Sequence, residues 1–397
     1  MGLFCVVLLA YSDDTVNVGT VTVIIDHEGF EVTTYRIDGE YIDGRHPESV
    51  VFTGRLTDDL GRRDFTINAM AYSQRTSLVD EFGGIEDLRS GVIRCVGDAD
   101  TRFNEDALRM MRALRFSAEL DFDIDESTYD SIKRNNKLLS RISRERIYSE
   151  FVKLLVSDHP DKLREVYETG LCEDFIPELS DVMNCTQNNP HHIYTVGEHT
   201  LRVIYGVRKD PVMRLAALFH DFGKPVCKTT DENGTDHFHG HPFVSSEIAK
   251  RVLKRLKSDN ETIERVKILV ENHDMRTVPE KNKVRRLIAA VGKDNISDLF
   301  ELQRADVMAQ SEYNREDKLR RIDMVSSIAK EVIEGGEALT IRELAISGRD
   351  LMELGVRSGP GMGKMLNCLL EAVLDDPGKN DRETLLTLSG EMINEKN

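Results

Sequence analysis

The sequence predicts an α+β protein: a small head with a partial antiparallel or mixed sheet, then a long all-helical body. Three observations carry that prediction. Residues 20–36, TVTVIIDHEGFEVTTYR, hold two β-rich runs around Asp26-His27-Glu28-Gly29, the pattern of a hairpin. From Asp64 the pattern becomes helical. FTINAMAYS places its apolar residues at about 3.6-residue spacing, and NEDALRMMRALRFSAEL continues this with arginines on a second face. The remainder reads as helix, with breaks near Asn188-Asn189-Pro190, Asp231–Gly234, Gly335-Gly336 and Ser358–Gly363. No internal repeat interrupts this order.

Composition narrows the function classes. A chain of 397 residues corresponds to about two to three domains, and 40% hydrophobic with 31% charged residues suits packed cores. The net charge of −17 excludes a protein coated in positive charge, so any nucleic-acid contact must be local. Cys5, Cys95, Cys172, Cys185, Cys227 and Cys368 contain no CxxC pair and read as reduced thiols. No apolar run approaches the ~20 residues of a membrane span. The expectation is a cytoplasmic protein with neither membrane nor DNA as partner. Gly2 to Ala10 is apolar without a preceding Lys or Arg, and Val6 stands where a myristoylation signal needs Ser or Thr. This stretch reads as a short buried strand or as an altered start.

Three head segments look chemical. Arg62-Arg63-Asp64 is expected to open a helix running through Asn68-Ala69-Met70, where two guanidiniums beside the helix N-terminus would suit a triphosphate. Asp64 would accept from a ribose hydroxyl. The alternative is an N-cap aspartate with two solvated arginines. Gly83-Gly84, within DEFGGIEDL, suggests a turn that can hinge. Glu105-Asp106-Ala107-Leu108-Arg109 is expected to put Asp106 and Arg109 three residues apart on one helix face. A carboxylate beside a guanidinium matches the amine donor and ring-nitrogen acceptor of cytosine or adenine, and mismatches uracil and guanine. The bland alternative is an ordinary helical ion pair, worth about 0.2–0.5 kcal/mol.

In context these segments carry a resemblance. EVTTYRIDGEYIDGRHPESVVF, DLGRRDFTINAMAYS and LVDEFGGIEDLRSGVIRCVGDADTRFNEDALRMMRALRFSAELDFDID closely resemble class II tRNA nucleotidyltransferases, the CCA-adding enzymes and their poly(A) polymerase relatives. The resemblance runs over residues 18–155 and resumes in the C-terminal half. It implies a nucleotidyltransferase head over 1–75, a helical neck over 76–157, a body over 158–335 and a tRNA-binding tail over 336–397. The implied activity is untemplated addition of C, C and A to tRNA 3′ ends from CTP and ATP. By the same resemblance Arg62, Arg63 and Asp64 hold triphosphate and ribose, Asp106 and Arg109 read the base, and Glu105 orients Arg109. Gly83 and Gly84 belong to the hinge.

Phosphoryl transfer of this kind uses two Mg²⁺ ions held by carboxylates. The family keeps an Asp-x-Asp upstream of the hairpin, after a Gly-Gly-x-x-Arg-Asp turn. Neither motif stands upstream of Thr20, where Asp13 and Asp14 are adjacent and on a strand would face opposite ways. Asp98-Ala99-Asp100 has the spacing but falls after the nucleotide segment. Glu31 is the one head carboxylate that matches. The expectations are an N-terminally incomplete copy, a head of low stability, and nucleotide incorporation at or near zero for this chain as written.

The body carries a second constellation: His199 in EHTLRV, His220-Asp221 in ALFHDFGKP, His241 in GHP, His273 in ENHD and Asp306 in RADVMAQ. It resembles the HD superfamily of metal-dependent phosphohydrolases. His199, His220, Asp221 and Asp306 would bind one divalent metal, and His241 and His273 match positions that add a second. Imidazole with carboxylate suits a divalent transition metal. The alternative function is therefore an HD-type phosphohydrolase acting on a phosphodiester or 2′,3′-cyclic phosphate, or an inactive tRNA-binding relic. His191, His192, His237 and His239 read as surface or groove residues, and Lys224 as a phosphate partner or a solvated side chain. For tRNA, the resemblance points to Arg144 and Arg146 in the neck. In the tail it points to Gly361, Gly363 and Lys364, where Gly359-Pro360 opens a helix.

Overall fold

The computed structural model describes residues 20–39, 48–191 and 193–394. Asp13, Asp14 and His192 lie outside the described residues. The predicted hairpin is present. Strands β1 (Thr20–Ile25) and β2 (Glu28–Thr33) pair antiparallel, with Ile25 opposite Glu28. The intervening Asp26 and His27 both have positive φ, 50° and 68°, the backbone a tight two-residue hairpin turn requires. Strands β3 (Arg36–Asp38) and β4 (Val50–Phe52) form a second pair. Both pairs stand as two-stranded sheets among the described residues, with Val21, Ile24, Phe30, Val51 and Phe52 exposed. A two-stranded sheet with little covered apolar face is marginally stable in water.

The helix expected from Asp64 is not there. Helix α1 (Leu56–Gly61) ends before it, and Arg62 is its C-terminal cap residue. Thr66–Asn68 makes one 3₁₀ turn, and the chain then enters β5 (Met70–Ser73), paired with β6 (Ser77–Asp80). The apolar residues of FTINAMAYS served a turn and then a strand, a period short segments do not separate. Arg62 and Arg63 therefore follow a helix C-terminus, and the favourable N-terminal dipole invoked for a triphosphate is absent.

Helix α2 (Gly84–Ser90) starts from Gly83, which has φ 78°. Asp80 closes this turn by accepting from the Gly84 and Ile85 amides at 2.7 and 2.9 Å. Strands β7 (Val92–Ile93) and β8 (Asp123–Ile124) then pair in parallel. Helix α3 (Ala99–Glu105), N-capped by Asp98, stops at Asp106, which is extended at φ −142°. Helix α4 (Leu108–Leu120) begins afresh. Asp106 and Arg109 thus do not share a helix, because the Asp106 side chain caps the new one by accepting from the Leu108 amide at 3.0 Å.

Helix α5 (Glu126–Asn135) is capped by Asp125, and α6 (Arg144–Leu155) packs on α4 through Ile147, Phe151, Leu154 and Leu155. One continuous hydrophobic core runs from Phe65 through neck and body to Leu339 and Leu374. The tail has its own small core around Ile346, Leu351, Leu369 and Leu385, and the head one around Leu60, Ala69 and Val96. The stretch from Phe65 to Val332 is thus fused by packing, and Leu339 and Leu374 join the C-terminal helices to the same core. The break at Asp231–Gly234 is a short hairpin joining Thr229–Thr230 to Asp236–His237.

Candidate functional site

Two sites emerge. The first lies where α1's end meets the neck. Arg63, Asp64, Asn68, Asp106, Leu108, Arg109, Arg112, Phe116 and Arg146 line a cavity of about 490 Å³. Two sequence segments read separately as nucleotide-binding, Arg63-Asp64 and Asp106/Arg109, therefore face one space. Asp64 is buried and its position is over-determined. Oδ1 accepts from the Phe65 amide at 2.9 Å and from Asn68 Nδ2 at 3.2 Å, while Oδ2 accepts from Arg112 Nε at 2.7 Å. Arg112 also lies over the Phe116 ring, 5.3 Å from its centroid.

Arg109 is buried and directed by three acceptors: Glu105, the Arg102 carbonyl at 3.1 Å and the Arg62 carbonyl at 2.8 Å. Three of its five N–H groups are spent, which leaves two for another acceptor. Asp106 Oδ2 accepts from Arg146 at 2.9 Å, and a carboxylate keeps further lone pairs for an amine donor. Arg62 is turned away onto Asp59, at 2.7 Å, and Asp38, at 3.4 Å. Arg144 pairs with Asp174. Gly84 sits against the Thr66–Asn68 turn, where a Cβ would come within 2.2 Å of the Thr66 carbonyl oxygen. Glu31, opposite Thr22 on the exposed β2, stands apart from this cavity.

Residue-type reasoning missed Arg112, Phe116 and Asn68. Arg112 and Phe116 fall one and two turns beyond Arg109 on α4, so helical spacing was the signal that could have found them.

The second site is in the body. The helices Val196–Gly206 and Ile296–Ala309 carry His199 and Asp306; the helix Pro211–Phe219 ends at His220-Asp221; His241 opens His241–Arg255; and His273 closes Asn260–Asn272. All six predicted residues converge. The Nε2 atoms of His199 and His220 are 3.2 Å apart, and those of His241 and His273 are 3.4 Å apart. Asp221 sits between the pairs. Its Oδ2 lies 3.1 Å from His220 and 3.6 Å from His199, and its Oδ1 lies 3.3 Å from His241 and 3.7 Å from His273. Asp306 Oδ1 is 3.0 Å from His199 Nε2.

The outer nitrogens explain this convergence. The Nδ1 atoms of His220, His241 and His273 are 2.7, 2.8 and 2.7 Å from the carbonyls of Ala217, Phe238 and Val270. His199 Nδ1 is 3.4 Å from the Ala309 carbonyl. A carbonyl only accepts, so each Nδ1 carries a proton, and each ring in its neutral form turns the Nε2 lone pair inward. That arrangement orients imidazoles toward a metal.

Burial would raise the Asp221 carboxyl's pKa, but His220 and Lys224 hold it well below the usual range. Burial likewise works against ionised Asp306, and His199 overcomes it. Burial lowers the His220 pKa, whereas at His273 the Asp221 carboxylate outweighs burial and raises it. Two anionic carboxylates among four inward-facing imidazoles form two triads sharing Asp221: His199/His220/Asp221 and Asp221/His241/His273. This donor set fits a divalent transition metal. Lys224 is not solvated: its ammonium lies 2.7 Å from Asp221 Oδ2 and donates to Gln187 Oε1 at 2.8 Å. His237 and His239 stack with parallel rings at the mouth of a cavity of about 250 Å³ above the cluster.

Comparison with known proteins assigns the chain. Residues 7–94 match the poly(A) polymerase head domain, 121–183 the RNA- and SrmB-binding site of polymerase A, and 243–388 the tRNA nucleotidyltransferase domain 2. The CCA-adding enzyme of Pediococcus pentosaceus is 32% identical, with 94% of this chain and 82% of that protein covered. That of Ligilactobacillus salivarius is 31% identical over 97% and 84%. The solved CCA-adding enzyme of Bacillus stearothermophilus in complex with CTP superposes with a TM-score of 0.65 at 28% identity, covering 95% of this chain and 82% of that one. The chain belongs to the CCA-adding enzyme family, whose members are metal-dependent tRNA nucleotidyltransferases.

Proposed function

We propose that the cavity between head and neck is the place where this CCA-adding enzyme chooses CTP and ATP. Asp106 and Arg109 read the base edge, Asp64 and Arg112 the ribose and phosphates, and Glu105 keeps Arg109 aimed. The single observation behind this reading is that Asp64, Asp106 and Arg109, 42 and 45 residues apart along the chain, line one space with a fixed donor–acceptor pattern. The solved relative from Bacillus stearothermophilus was captured with CTP. Arg63 also faces the cavity whereas Arg62 is turned onto Asp59, so triphosphate contact falls mainly to Arg63 and Arg112. The primer is tRNA. Arg146, on the cavity wall, and Arg144, two residues before it, approach its acceptor end, while Gly361, Gly363 and Lys364 offer the start of the helix Pro360–Asp375 to a backbone phosphate. The domain limits are read as 1–75, 76–157, 158–335 and 336–397, in a cytoplasmic enzyme.

Mg²⁺ supplies charge neutralisation of the triphosphate and activation of the primer hydroxyl when bound in such a head. Glu31 is the described residue that the family resemblance assigns to it, and the metal serves incorporation rather than the reading of the base. Binding and incorporation are therefore tested separately. Equilibrium titration of CTP and ATP against Arg109→Gln should show both weakened at least about tenfold, the worth of a charge-assisted hydrogen bond. Unchanged affinity would remove Arg109 from base reading.

A second reading concerns the body, where the inward-facing imidazoles favour a metal centre. His199, His220, Asp221 and Asp306 would hold one divalent transition metal, and His241 and His273 with Asp221 a second. Such an ion supplies a nucleophilic water for phosphoester hydrolysis. His220→Ala/Asp221→Ala should lose bound metal and hydrolysis of a 2′,3′-cyclic phosphate while retaining tRNA binding. A variant that keeps both would refute this reading.

A further inference from the structure

The cavity that borders His273 and Asp306 gathers three cations, of which only Arg276 has a carboxylate partner in an ion pair among the described residues. The chain is strongly acidic overall, yet Arg276, Lys318 and Arg321 line the cavity that meets His273 and Asp306. Lys318, half-buried on the helix Arg315–Glu334, has only neutral partners: its ammonium donates to Gln310 Oε1 at 2.7 Å and to His191 Nδ1 at 3.2 Å. Arg321 makes no hydrogen bond or ion pair among the described residues. The closest carboxylate to Arg276 is Asp274, a loose 3.7 Å away. Gln310 spans the gap to the cluster, because its Nε2 donates to Asp306 Oδ1 at 2.9 Å while its Oε1 holds Lys318. The amide orientation follows from chemistry, since a carboxylate needs a donor and an ammonium an acceptor. Lys224, the other cation here, is already committed to Asp221.

We propose that Lys318 and Arg321, with Arg276, form the anion-receiving wall of the body site and hold the phosphoryl group of a phosphoester against the metal cluster. The proposal rests on the metal-centre reading and adds substrate-positioning residues to it. Lys318 and Arg321, without ion-pair partners among the described residues, repel each other and Arg276, and a tetrahedral dianion relieves that repulsion while accepting from each. Arginine forks and a point-charge ammonium are the usual partners of phosphate oxygens. The cavity also borders Asp306 and His273, so an anion bound by Lys318 would face His273 of the cluster.

The test uses the full chain loaded with Mn²⁺, with inorganic phosphate as the probe, by calorimetry and by paramagnetic broadening of the ³¹P resonance. Lys318→Gln should weaken phosphate binding at least about tenfold, and Lys318→Arg should restore most of it. Bound Mn²⁺ should not change in either variant. Arg321→Gln, at a residue without a structural partner, should weaken phosphate binding with no effect on thermal unfolding and serves if Lys318→Gln misfolds. Phosphate binding equal to wild type in both Gln variants would overturn the proposal. So would Mn²⁺-loaded wild type that binds no phosphate, with the metal reading left standing. Failure of wild type to take up Mn²⁺ would overturn both.

Discussion

Substituting Gly84 by alanine should act on the nucleotide cavity at a distance. The added Cβ would lie 2.2 Å from the Thr66 carbonyl oxygen, 2.9 Å from its carbon and 3.0 Å from Met70 Cγ. Two of those atoms are backbone, so the Thr66–Asn68 turn must retreat by about 1 Å. Overpacking of this kind costs about 1–3 kcal/mol. The same turn carries Asn68, whose side chain donates to Asp64 and whose carbonyl accepts from Arg63 at 3.1 Å, so its retreat loosens the cavity wall. Gly83 provides the control. Its Cβ would meet nothing within 4 Å, and only its φ of 78° opposes alanine. That strain, about 1 kcal/mol, is partly offset by the lower entropy of the unfolded alanine chain. Urea unfolding monitored in the head, with CTP titration, should rank the variants. Gly84→Ala should lose about 2 kcal/mol and weaken CTP at least about fivefold, while Gly83→Ala should lose under about 1 kcal/mol and bind CTP normally. Equal effects of the two substitutions would refute the wedge argument and favour a simple hinge at both glycines.

Further predictions concern the body. Asp221→Asn keeps the shape but removes the anion between four imidazoles, so metal uptake should fall by more than about tenfold while the fold persists; retained stoichiometry by metal analysis would contradict the bridging role. Asp236 is held at about pKa 2 by the Asn188 amide against the cost of burial, with Thr230 and Lys228 assisting. A lowered folded-state pKa stabilises above the unfolded value near 3.8 and is lost as pH falls toward about 2, so Asp236→Asn should flatten the stability profile in that window. The contribution is about 1–2 kcal/mol, and a wild-type acid limb in the variant would refute it.

Much of the molecule was legible in the sequence, for identifiable reasons. The first hairpin was readable because Asp26-His27 supplies the left-handed turn between β-branched runs. The six residues of the body cluster were singled out by the resemblance to the HD superfamily, and the structure brings them together from helix ends and helix faces. The stretch after Asp64 was misread because nine residues with mixed spacing fit a helix as well as a turn plus a strand, and pairing with Ser77–Asp80 decided it. The break at Asp106 was hidden for a similar reason, since Glu105 to Arg109 has good helical spacing and only the Asp106 cap on Leu108 reveals two helices. Arg112's place on Asp64, 48 residues away, is a tertiary fact that no local pattern encodes.

On the proposed reading, one cavity between head and neck discriminates nucleotides by the Asp106/Arg109 pair. Titration of the unmodified chain with CTP, ATP, UTP and GTP under identical conditions tests it most directly, because it does not depend on turnover. CTP and ATP should bind at least about tenfold more tightly than UTP and GTP, the cost of leaving a buried donor–acceptor pair mismatched. Equal affinity for all four would mean that the cavity holds triphosphate without reading the base, and that Asp106 and Arg109 do not choose the nucleotide.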